Sequence, residues 1–234
     1  MITSRFEYNT IDRISQHNIR YYNTVTGMLP SVTSILSRTQ SERTKKALDS
    51  WRSLHNSAKI LEEASSRGTR MHKFLEDYIA HDTLSKPGSN PYSIESHLMA
   101  STIIKHAFPN IQEIWGSEVN LYYPHLYAGT TDLCGVFDNK ESIMDFKQSN
   151  KPKTKERVED YYIQLTAYGT AHNILYNTKI RQGVLFICVK PVYDNKYNII
   201  KPPEYQQFSI KDSEWDHYVD KMWDKVEQYY LEIV

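Results

Sequence analysis

The sequence predicts an α/β fold, a mixed central sheet flanked by helices, with an N-terminal helical region ahead of it. Three observations carry that prediction. Apolar residues recur at helical spacing through residues 41–66 and 92–108, the period then drops to two, and helix and strand patterns alternate to the C-terminus. The run Gly183-Val184-Leu185-Phe186-Ile187-Cys188-Val189 is continuously apolar, as a strand covered on both faces must be. Residues 129–147 read as two strands joined by a turn, and they set acids and a lysine into an otherwise apolar strand.

The 234 residues suffice for a sizeable core and read as one domain, with a strand and helical region over about 1–110 and a sheet-based core over about 111–234. The 28 Lys plus Arg equal the 28 Asp plus Glu, so net charge draws the chain to neither nucleic acid nor anionic membrane. Any phosphate-binding surface must be local. The N-terminus Met1-Ile2-Thr3-Ser4-Arg5-Phe6-Glu7 lacks the apolar core of a signal peptide, and no apolar run approaches membrane-spanning length. The expectation is a protein without a membrane partner that stays where it is made. Cys134 and Cys188 sit in strand-like apolar contexts without ligand spacing, which suits reduced packing residues. The 18 tyrosines could stack on unpaired bases, or could simply reflect the Asn-, Ile- and Lys-rich composition of an AT-rich genome.

Taken in order, residues 20–25 alternate as a short strand that ends at the turn Thr26-Gly27. Pro30-Ser31-Val32-Thr33-Ser34-Ile35-Leu36 suits a helix start with Ser31 and Thr33 hydroxyls near the first backbone amides, and a cap is all these residues need be. Residues 41–66 form a helical pattern on Ala47, Trp51, Leu54, Ala58, Leu61 and Ala64, with Arg43, Lys45 and Lys46 near its start. On the next helix His72 and Glu76 are four apart and share a face. Such a pair can reach one metal, or can be an ordinary surface pair. Residues 81–91 are a loop and 92–108 a helix. Residues 114–123 are a strand in which Glu118 is expected to be exposed, though it could add a carboxylate to a site.

Residues two apart on a strand share a face, so in Ile143-Met144-Asp145-Phe146-Lys147 the Asp145 carboxylate and the Lys147 ammonium point the same way. Asp132, on the preceding strand, brings a second carboxylate to the spot. Two carboxylates and a lysine at a sheet edge suit divalent-metal phosphodiester chemistry, whereas a salt bridge would explain the triplet without chemistry. The following polar loop carries Lys151 and Lys153, either as backbone-phosphate contacts beside the site or as solvated charges. Residues 158–177 are a helix that sets Gln164 and Tyr168 four apart, residues 197–200 and 205–210 are strand pieces, and residues 213–233 are an amphipathic helix.

These motifs, in this order, resemble the RecB-like exonuclease branch of the PD-(D/E)XK nuclease superfamily. The matching positions are Gly68, His72 and Glu76; Gly129, Thr130 and Asp132; Asp145, Phe146 and Lys147; and Gln164 and Tyr168. The stretch 30–36 resembles that of the mitochondrial genome maintenance exonucleases and their phage relatives. Thr131 stands where the superfamily's name has Pro, and Gln148 follows the lysine where relatives have Thr. The resemblance implies a restriction-endonuclease-like core and a Mg²⁺- or Mn²⁺-dependent deoxyribonuclease that acts on DNA, single-stranded and from a free end. It implies that Asp132, Asp145, His72, Glu76 and the Phe146 carbonyl hold the metal, that Lys147 acts on the attacking water, and that Gln164, Tyr168, Ser31 and Thr33 support the site or the DNA. A cytoplasmic protein is expected, of phage or bacterial origin, since no basic presequence is visible. Other readings are a non-catalytic nucleic-acid-binding module, a duplex-end exonuclease or endonuclease of the same superfamily, and a different metal hydrolase built on the His72/Glu76 helix.

Overall fold

The computed structural model describes all residues except 1, 4, 18, 233 and 234. Met1 and Ser4 of the N-terminal reading and Ile233 of the last predicted helix therefore lie outside the described residues.

The chain begins with a three-stranded antiparallel meander, β1 (Arg13–Gln16), β2 (Ile19–Thr24) and β3 (Gly27–Pro30). Only its middle strand was expected from the pattern, because β1 is exposed throughout and has no periodicity to read. Helix α1 (Val32–Arg38) follows, with Ser31 at its N-cap accepting from the Ser34 amide at 3.0 Å. The expected helix over 41–66 is instead α2 (Glu42–Arg52) and the first part of α3 (Ser57–His81). The break falls where Ser57 Oγ donates to the Arg52 carbonyl, so a side chain takes the place of the helical backbone bond. The apolar stripe read there is not buried, with Leu54 and Leu61 exposed, and α2 buries no residue.

From α3 onward the elements build one main sheet with its helices and one separate hairpin. They are α4 (Pro91–Ala107), β4 (Ile111–Tyr123), β5 (Tyr127–Phe137), β6 (Lys140–Ser149), α5 (Glu159–Tyr176), β7 (Gly183–Val189), β8 (Val192–Tyr193), β9 (Ile199–Lys201), β10 (Glu204–Ile210) and α6 (Asp212–Leu231). The hairpin is β8 paired with β9. The five-stranded sheet has the order β10-β7-β6-β5-β4, parallel only between β6 and β7, which makes it mixed as expected. Asp138 and Asn139 both have positive φ, the conformation of a two-residue hairpin turn between β5 and β6. All seven residues of β7 are buried, which accounts for its unbroken apolar sequence.

Each face of the sheet has its own helical cover. On one, Met71, Leu75 and Ile79 of α3 and Met99 and Ile103 of α4 pack on Leu133, Met144, Phe146, Val184 and Phe186. On the other, residues of α1, α5 and α6, among them Ile35, Leu165, Trp215 and Met222, pack on Val119, Leu121, Cys134, Ile143, Leu185 and Ile187. Cys134 and Cys188 are buried free thiols. Among the described residues no helix is long and apolar enough to cross a membrane.

The register creates a fork in the sheet. Strands β5 and β6 are paired from Phe137↔Lys140 to Leu133↔Met144. Beyond that, β5 continues with β4 alone and β6 with β7 alone. Asp132 and Asp145 are the first residues past the last shared pair, one on each prong.

Candidate active site at the sheet fork

At the fork the Phe146 amide has no strand partner on β5, and Asp132 Oδ2 accepts from it at 2.6 Å. The other Asp132 oxygen is 3.5 Å from His72 Nδ1, on the α3 turn that crosses the fork. Asp145, 3% exposed, continues the Ile143 row and forms an ion pair with Lys147. The ammonium also lies 5.4 Å from the centre of the Tyr161 ring. From α5, Gln164 Nε2 donates to the Tyr168 hydroxyl at 3.1 Å. The Tyr168 ring occupies the place of a side chain at Gly129, where a Cβ would come within 2.5 Å of it. Glycine is therefore required at that point of β5.

These groups line one cavity of about 560 Å³. His72, Glu76, Asp132, Asp145, Lys147, Gln164, Tyr168, Ser31 and Thr33 all reach it, so the structure assembles most of the residues singled out from sequence. Ser31 is buried and holds the α1 cap, with its hydroxyl 3.0 Å from that of Thr33. Phe146 was expected to act through its backbone alone, and two other expected residues stand elsewhere. The Phe146 side chain is buried between α3, α4 and β7, stacked on Phe108 and tilted against Phe186, so only its backbone faces the fork. Lys151 and Lys153 do not line the cavity, because the loop after β6 turns to β10, where the Lys153 amide donates to Gln206 Oε1 at 2.8 Å.

Glu118 was expected to be an exposed strand residue. It is exposed, yet it also lines the cavity, and its carboxylate, Asp132 and His72 offer ligand atoms within 4.8 Å of one another. Glu76 and Asp145 line the same cavity and stand outside that group. The β4–β5 register explains the position, since Glu118 falls between the pairs Ser117↔Leu133 and Val119↔Thr131, across from Asp132. Counting back from the Tyr123↔Tyr127 end of the hairpin finds it, but only once that turn is placed. Arg13 and Arg20, from the N-terminal meander, line the cavity as well and had no motif to mark them.

The cavity is acid-rich, and Asp145, Glu118 and Glu76 resist ionisation. Burial pushes the Asp145 carboxyl up to about 6, outweighing Lys147, and Asp132 adds to the rise. For Glu118, desolvation and then the charges of Asp132, Glu76 and Asp145 push the carboxyl up to about 7. Desolvation raises Glu76 also. Burial opposes the charge on Lys147, but Asp145 and Asp132 outweigh it, so the group titrates above its ordinary value. Oxygen donors that repel each other, plus one imidazole, suit a divalent metal ion, and the mutual reach of His72, Glu118 and Asp132 fits a single one.

The chain is 25% identical over 178 residues to mitochondrial genome maintenance exonuclease 1 of Xenopus tropicalis, covering 70% of this chain and 49% of that protein. To the Mus musculus protein of the same name it is 26% identical over 175 residues, covering 69% and 50%. The chain thus spans about half the length of the curated relatives it matches. A solved structure from Eubacterium rectale, described as a candidate exonuclease, shares the fold with a TM-score of 0.50 at 13% identity, over 73% of this chain and 66% of that one. No protein-family model matches the chain. Relatives that carry the exonuclease name, and the fold shared with the Eubacterium rectale structure, make the chain similar to exonucleases, with the motif order from Gly68 to Tyr168 set out along that fold.

Proposed function

We propose that this chain is a Mg²⁺- or Mn²⁺-dependent DNA exonuclease that hydrolyses single strands from a free end, as one nuclease domain. The observation that carries the reading is the convergence of Asp132, Asp145, His72 and Lys147 on one cavity at the sheet fork. Asp132, Asp145, His72, Glu76 and the Phe146 carbonyl would hold the ion, and Glu118 joins them. A bound divalent ion supplies Lewis acidity at the phosphoryl oxygen and lowers the pKa of its water.

The chain's own groups account for the rest. Lys147, kept as an ammonium by its acidic neighbours, orients the attacking water and offsets the charge that grows on the phosphoryl oxygens. A role as base would need the charge of Asp145 to be taken up elsewhere. Tyr168, raised by burial, stays protonated and, fixed by Gln164, presents a hydroxyl to the cavity. Arg13 and Arg20 give phosphates a cationic rim beside the acids.

End-labelled linear single strands, linear duplex and circular single strands, each in Mn²⁺ and in chelator, test the reading. Metal-dependent loss of linear single strands with circles spared is expected. Cutting of circles would make the protein an endonuclease, and preferential loss of duplex would move its substrate to duplex ends.

A further inference from the structure

A second cleft, of about 440 Å³, lies against the other side of the same turn of α3. Arg67 lines this cleft, while the next two residues, Gly68 and Thr69, line the catalytic cavity. The wall between the two is fixed, because Arg67 donates through Nε and Nη2 to Gln148 Oε1 at 3.0 and 2.8 Å, next to Lys147. The two cavities therefore flank one turn of α3.

The cleft carries three tyrosines, Tyr92, Tyr193 and Tyr197, interleaved with Arg70 and Lys190. Arg70 lies over the Tyr92 ring at 5.6 Å, and that ring is 61% exposed. Tyr197 is 80% exposed and has φ 60°, a left-handed backbone that strains a bulky residue. The turn is braced in that shape by Asp194 Oδ1, which accepts from the Lys196 and Asn198 amides at 2.8 Å each. So exposed a ring returns almost nothing to the fold for the strain. Two acids also line the cleft, but Glu95 is engaged by Arg67 at 3.5 Å and Glu63 by Lys59 at 4.0 Å, and among the described residues no carboxylate pairs with Arg70 or Lys190.

We infer that this tyrosine cleft is a nucleobase-binding subsite, which stacks unpaired bases of a strand whose phosphate sits in the catalytic cavity. The inference rests on the nuclease reading for the position of that strand. Its physical logic is independent of sequence. A chain with no net charge and an acid-rich catalytic cavity attracts a polyanion weakly, and stacking on aromatic faces supplies affinity that does not depend on charge. A duplex offers no free base faces, so the cleft would also select single strands.

The test is fluorescence anisotropy of a labelled oligothymidylate and of an abasic strand of equal length, in chelator so that nothing is cut. The proteins are wild type, Tyr92→Ala/Tyr197→Ala and Tyr92→Phe/Tyr197→Phe. Losing two stacking contacts should weaken oligothymidylate binding by about 10-fold or more. The Phe pair should restore it, and the abasic strand should bind weakly and alike to all three. Equal binding of oligothymidylate by wild type and the Ala pair would overturn the inference, as would an abasic strand bound as tightly as oligothymidylate, and either would turn the exposed hairpin towards a protein partner. Hydrolysis of bis(p-nitrophenyl) phosphate in Mn²⁺ is read in parallel. Base binding without that hydrolysis would sink the nuclease reading and keep the subsite; hydrolysis without base binding would do the reverse.

Discussion

Glu118 combines a left-handed backbone, φ 52°, with a carboxyl among the other site acids. Its pKa in the metal-free fold, about 7, lies above the ordinary 4.5, so folding favours its protonated form. The stability this contributes is present below about 4.5 and is lost as pH rises through about 7. Glu118→Gln, neutral at every pH, should therefore raise the metal-free melting temperature at pH 8 and change it little at pH 4.5. The same substitution removes a donor, so the rise in melting temperature that Mn²⁺ gives the wild type should shrink. A thermal melt at the two pH values, with and without Mn²⁺, checks both. An unchanged Mn²⁺ response would remove Glu118 from the metal site.

At the scale of elements, the fork between β5 and β6 makes the site, and it was only half legible. The hairpin, the shared face of Asp145 and Lys147, and the Gln164/Tyr168 spacing follow from periods of two and 3.6, which any strand or helix imposes. The ending of the β5–β6 pairing at Leu133↔Met144 follows from register, which no single strand encodes. For the same reason Glu118 was read as a solvent residue: its partner strand was known, its partner residue was not. The helix over 41–66 failed differently. Its apolar spacing is real but unburied, and a serine side chain ended the helix where periodicity continued. Gly129 tests the packing of α5 on the fork. A Cβ there would sit 2.5 Å from the Tyr168 ring, which is 2% exposed and has little room to move. Gly129→Ala should cost about 1–3 kcal/mol in a urea titration, as overpacking does. A cost below about 0.5 kcal/mol would show that α5 is not held as tightly as described.

Over the whole molecule, two helical layers clamp the sheet, and the N-terminal segment closes one end through Phe6 and Tyr8, which pack around His172. His172 is fully buried, 3.0 Å from the Tyr8 hydroxyl and 2.8 Å from that of Thr178. Burial, helped by Arg5, pushes its pKa down from 6.5 to about 4, so the fold holds it neutral. Its contribution is complete above about 6.5 and is lost as pH falls towards about 4, because the unfolded chain binds the proton first. The stability difference between wild type and His172→Gln should then narrow between pH 7 and pH 4.5. Urea titrations at the two pH values read it, and a constant difference would assign His172 a packing role alone.

The central claim is that the cavity at the sheet fork is a metal-dependent phosphodiester site with Lys147 at its working end. The most direct measurement is the initial rate of hydrolysis of linear single-stranded DNA by wild type and Lys147→Ala, in Mn²⁺ and in chelator. The account predicts a rate in Mn²⁺ that chelator abolishes, and a loss on the order of 10²-fold or more in the variant. Hydrolysis that survives chelator, or a Lys147→Ala protein as fast as wild type, would contradict it.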